Sequence, residues 1–174
     1  MHEGGNLIVC AIRRWLRRSG KKLSQVARES GVNYHTIHTW LMRNYIPSTE
    51  DLARVVEAFG FPAWSAAVLH SLALYENMLR ANFEVAVRIL QKDLTRTGNG
   101  LRLAAELGVD AGVLENALEK GQYHPEIIIA LLERSEFNPT FAFRLLGYLQ
   151  EGEEIEKTLG PVPDSAKRPP RRAP

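Results

Sequence analysis

The stretch ARESGVNYHTIHTWLMRNYIP, residues 27–47, decides the fold class of this chain. Ile37, Trp40 and Leu41 fall on one side of a helix, and His35, His38, Thr39 and Met42 fall on the other, with Tyr34 at the edge. Gly31 supplies a residue that takes the left-handed conformation without a Cβ penalty, which lets the chain turn sharply. Val32 plugs that turn, Asn33 caps the helix that follows, and Pro47 stops the extension. The pattern predicts a helix from Tyr34 to about Arg43, preceded by a short one that ends at Ser30.

Working outward, helical periodicity continues and no run of alternating β-branched residues occurs, so an all-α protein is expected. A first helix is predicted from Asn6 to Ser19, stopping at Gly20, with Ile8, Ile12, Trp15 and Leu16 on its apolar side. Arg13, Arg14 and Arg17 are expected on its far side. Ser24 is read as the N-cap of the second helix. Pro47 and Ser48 open a fourth helix carrying Leu52, Val55, Val56 and Phe59, closed by Gly60 and Pro62. The apolar run from Trp64 to Leu94 is read as core or dimer seam, divided into two helices at Arg80-Ala81-Asn82. Beyond Glu151 the composition turns to Gly, Pro and charge, and residues 151–174 are expected to be a flexible basic tail. The implied organisation is residues 1–62, a helical connector at 63–92, an acidic helical unit at 93–150, and the tail.

The net charge of +2 conceals an uneven distribution. Residues 1–62 hold nine Lys or Arg against five Asp or Glu; residues 63–160 hold nine against fourteen; residues 161–174 hold four against one. The amino-terminal part therefore suits a polyanion and the middle does not. The single cysteine, Cys10, cannot form an internal disulfide or a multi-cysteine metal site. The apolar runs are short and interrupted, so no membrane span is expected and the cytoplasm is the expected compartment.

The residues ARESGVNYHTIHTW, followed by IPSTEDLARVVEAFGFP, resemble the Cro and phage-repressor type of helix-turn-helix, the XRE family, over about residues 6–62. Ala27 lets two helices approach, Gly31 turns the chain, and Val32, Ile37 and Trp40 form the wedge between them. Asn44 stands where the family usually ends its recognition helix with Gly, and Leu23 where many members carry a phosphate-bracing Gln. The resemblance implies double-stranded DNA as partner, with Asn33, Tyr34, His35, His38 and Thr39 reading bases in the major groove. It also implies phosphate contacts from Arg13, Arg17, Lys21, Lys22 and Arg43, with Ser24, Thr36, Asn44 and Tyr45 as neutral donors.

A shift of 77 residues aligns Ala27 with Ala104, Gly31 with Gly108, Val32 with Val109 and Ile37 with Leu114. Without a gap, it also aligns Leu52 with Ile129, Ala53 with Ala130, Val55 with Leu132 and Pro62 with Pro139. A second, degenerate helix-turn-helix is expected. His35, His38, Thr39 and Met42 become Gly112, Glu115, Asn116 and Glu119 in it. Two carboxylates there disfavour phosphate, so residues 93–150 are read as a dimerisation or protein-contact unit, for RNA polymerase, a protease or an antirepressor. No nucleophile, base and orienter trio and no phosphate-cradling glycine loop is found, so neither an enzyme nor a cofactor is expected. His35 and His38 lack a third metal ligand nearby. The expectation is a homodimeric transcriptional regulator of bacterial or phage type. An adaptor that keeps the helix-turn-helix as scaffold, as an antitoxin or inhibitor would, is the alternative.

Overall fold

A computed structural model of the chain describes residues 5–148; the expected basic tail lies outside the described residues. Among the described residues there are eleven α-helices and no strand. They are α1 (Leu7–Ser19), α2 (Leu23–Ser30), α3 (Tyr34–Arg43), α4 (Thr49–Ala58), α5 (Ser65–Leu74) and α6 (Glu76–Ala81). Then follow α7 (Phe83–Thr97), α8 (Gly100–Leu107), α9 (Ala111–Lys120), α10 (Pro125–Arg134) and α11 (Pro139–Leu145).

Local chemistry sets most of these boundaries. The side chains of Asn6, Asn33, Ser48, Asn99, Asp110 and Asn138 each accept a hydrogen bond from a backbone N–H in the first turn of the helix they precede. Those bonds satisfy donors that have no partner inside the helix. Gly31 ends α2 at φ 70° and Gly108 ends α8 at φ 61°. Asn44 ends α3 in the same left-handed region, at φ 54°, and so does the work of the missing glycine. Ser24 is not a cap: Lys22 occupies the capping position of α2 without a side-chain bond, and Ser24 lies exposed in the first turn.

The 77-residue shift carries the bounds of α2 onto those of α8, and the bounds of α3 onto those of α9. Val26 and Leu103, Val32 and Val109, and Ile37 and Leu114 are buried in matching positions. After α9 the register slips by one residue. The loop from Asn44 to Ser48 caps α4 through Ser48, whereas the shorter loop from Gly121 caps α10 through His124. The gap-free pairings of Leu52 with Ile129 and of Pro62 with Pro139 are therefore replaced. The bond from Phe61 N to Val56 O recurs as that from Phe137 N to Leu132 O. Phe61 and Phe137 then meet edge to face, with ring centroids 5.4 Å apart.

The run from Leu69 to Leu90 is core: Leu69, Leu72, Leu79, Phe83, Ala86 and Leu90 are buried, in the same apolar cluster as α1 to α4. It divides at Asn82, as expected, and also at Tyr75. The expected boundary between residues 92 and 93 falls inside α7, and α5 packs on α4 and α1.

The largest departure from the sequence reading is Arg14, which is only 1% exposed. One face of α1 meets α3 and α5, and another meets α10, so seven of its first eight positions are buried rather than one stripe. The Arg14 guanidinium donates to the carbonyls of Leu107 and Gly108 at 2.6 and 2.7 Å, and to the Glu133 carboxylate at 2.9 Å. Trp15 Nε1 donates to the same carboxylate at 2.7 Å, and Arg18 reaches it at 3.1 Å. Glu133→Ala strips the charge partner from Arg14 and should lower the unfolding free energy by roughly 3–5 kcal/mol. Urea unfolding checks this; a loss below about 1 kcal/mol would show that Arg14 is satisfied by the two carbonyls alone.

Candidate nucleic-acid interface

The candidate site is the outer side of α3. Ile37 and Trp40 are buried beneath it, and Leu41 is half-buried beside them. Asn33, Tyr34, His35, Thr36, His38, Thr39, Met42 and Arg43 are all exposed, so every expected base reader is open to solvent. Met42 among them is 69% exposed. The Tyr34 ring stacks on the His38 ring with centroids 5.9 Å apart and planes at 19°, and meets His35 edge to face at 5.6 Å. These contacts limit the rotamers of three aromatic side chains before any ligand arrives.

The surface is held in place at both ends. Asn33 Oδ1 accepts from the His35 N–H at 2.8 Å at the start of α3. At its end, Asn44 Oδ1 accepts from Asn6 N, and the Asn44 carbonyl accepts from Asn6 Nδ2 at 3.0 Å. Arg13 Nη2 donates to the Leu41 carbonyl at 3.0 Å and so braces the last turn of α3.

The expected phosphate contacts divide into two groups. Arg13 is spent on Leu41, Arg17 pairs with Glu126, and Lys21 Nζ binds both Glu29 and the Ala58 carbonyl at 2.6 Å. Arg13 and Lys21 are therefore not spare cations, whereas Arg17 is 56% exposed beside its partner. Lys22 and Arg43 are exposed and enter no ion pair among the described residues. Arg28, which the sequence reading passed over, is exposed and unpaired in the same way. Its signal was available: on α2 it lies opposite Val26 and Ala27, the buried side of that helix. Ser24, Thr36 and Tyr45 are exposed, and Asn44 is committed to Asn6.

On α9 the matching side carries Glu115 and Glu119, both exposed, and Asn116, which accepts from Lys120 at 3.0 Å. The two turns are alike in backbone and opposite in charge. A second polar centre is Glu76. It accepts from the Tyr123 hydroxyl at 2.9 Å, pairs with Arg80 at 3.2 Å, and accepts from the Leu7 N–H at 3.3 Å. Burial, and then the Glu76 charge, push the Tyr123 hydroxyl far above the ordinary phenol range. It stays a protonated donor and acts as a strut between α6 and the loop before α10.

Among the described residues no group of three or more His, Cys, Asp or Glu side chains is placed to hold a metal ion. No described helix is long and apolar enough to cross a membrane. No protein-family model, curated protein or solved structure matches the chain, so its own geometry carries the functional reading.

Hydrogen bonds from Lys21, then from Gln25, hold the Glu29 carboxyl below the ordinary carboxylate range. Lys21→Met removes the larger cause and should move the Glu29 titration upward. Carboxyl NMR titration checks this, and an unmoved Glu29 would mean that Lys21 is free in solution to meet another anion.

Proposed function

We propose that the chain binds double-stranded DNA through the outer side of α3 and acts as a transcriptional regulator in the manner of the phage-repressor helix-turn-helix proteins it resembles. The observation that carries the reading is the clean division of α3. Ile37 and Trp40 lock it down, while Tyr34, His35, His38 and Thr39 stand exposed on a helix of ten residues. Such a helix fits the major groove, where imidazole, phenol and hydroxyl groups can pair with base edges. Lys22, Arg28 and Arg43 supply the charge that meets phosphates. A binding protein rather than an enzyme is the reading, with the cytoplasm as its place of action.

One such module makes few base contacts, so a homodimer on two half-sites is the natural arrangement, and linkage of the half-sites adds their free energies. The acidic α9 side, with Glu115 and Glu119, is assigned to contact with another protein and not to DNA. The internal use of Arg13 and Lys21 favours a second reading, in which the α3 surface meets a protein partner and the chain is an adaptor.

Selection of duplexes from a random pool by the full chain tests the first reading: a recurring half-site at fixed spacing is expected. Alanine at His35, His38 or Thr39 should each weaken that site by about 1–3 kcal/mol, roughly 5- to 150-fold, with unchanged helical content. Arg43→Ala should weaken all duplexes alike and lower the salt slope by about 1. Sequence-independent retention that vanishes with salt, and is indifferent to His35 and His38, would transfer the assignment to the adaptor.

A further inference from the structure

We propose that the cleft between α7 and α11 binds a small organic carboxylate with an apolar body. This cleft has a volume of about 710 Å³, and its described lining residues run from Asn82 to Gly147, none of them on the α3 surface. Its size falls in the range of about 300–1,000 Å³ typical of small-molecule sites.

The chemistry of the walls selects the ligand. Val85 and Ile89 lie one turn apart on α7, Phe141 belongs to α11, and all three are half-buried, which makes an apolar wall open to a ligand. Against that wall stand two arginines without carboxylate partners among the described residues, Arg88 and Arg144. Arg88 is exposed at the rim, while Arg144 is half-buried and its Nε is shielded from water with no hydrogen-bond partner. Neither guanidinium meets a carboxylate among the described residues, and a ligand carboxylate would supply a planar acceptor that matches the fork.

The acidic residues of the cleft do not meet that need. Asp93 is ion-paired with Arg134, 2.6 Å from its Oδ2, with Arg96 at 3.9 Å, although that oxygen accepts no hydrogen bond. Glu84 is exposed and enters no ion pair among the described residues. A bare inorganic anion would use the arginines and leave the Val85, Ile89 and Phe141 wall wet. An aliphatic or aromatic acid uses both.

Calorimetric titration of the full chain with octanoate, and separately with inorganic phosphate, tests the assignment. Octanoate should bind with a Kd below about 1 mM. Arg88→Gln and Arg144→Gln should each weaken it at least about tenfold. Arg88 is exposed, so its variant keeps the test decisive if Arg144→Gln fails to fold. Absence of octanoate binding, equal affinity in wild type and Arg88→Gln, or phosphate binding as tight as octanoate would each overturn the proposal. A combined Glu151→Gln, Glu153→Gln, Glu154→Gln and Glu156→Gln variant separates a free ligand from the chain's own carboxylates. Octanoate binding that appears only in that variant would overturn the free-ligand assignment.

Discussion

Arg14 is the constraint on which the arrangement of the two halves depends. A guanidinium cannot shed its proton inside a protein, so burying one demands acceptors on several sides. Here they come from two places far along the chain: the last carbonyls of α8, at Leu107 and Gly108, and the Glu133 side chain on α10. The cation also faces the negative end of the α8 dipole. Glu133 in turn gathers Trp15 and Arg18, so one carboxylate fixes a little more than one turn of α1 against α10. Packing alone would tolerate sliding between two helical units; directional bonds to fixed carbonyls do not.

The consequence reaches α3. Because α1 is pinned to α10 on one side, its other side offers a rigid base for α3 and α5, and Arg13, the neighbour of Arg14, braces the last turn of α3. Trp15 sits among Phe59, Phe61 and Phe137, which joins the two corresponding corners of the halves through one aromatic cluster. The α3 surface is thus presented by a frame that includes α10, well beyond the first sixty or so residues.

The two related turns show how little of a fold lies in its outer residues. Gly31-Val32-Asn33 and Gly108-Val109-Asp110 make the same left-handed glycine, buried valine and side-chain cap. Histidines and a tyrosine cover one helix, and glutamates cover the other. Backbone geometry is conferred by the glycine, the valine and the cap, and the exposed positions remain free to set charge and partner.

Sequence alone determined the all-α class, the C-terminal ends of α1, α2 and α3, the outward set on α3, and the correspondence of α2 and α3 with α8 and α9. Those features rest on local physics: period, capping and left-handed glycines act within a few residues of one another. Tertiary structure decided the rest. Periodicity placed Arg14 opposite Ile12 and Trp15, but it cannot register that a second wall, α10, closes over that opposite side. Likewise Arg17 and Lys21 read as open cations until Glu126 and Glu29 are brought beside them, and the register slip after α9 follows from a shorter loop that apolar spacing does not reveal. Whether a charge on a helix is spare or spent depends on groups distant in the chain, which only the folded arrangement brings together.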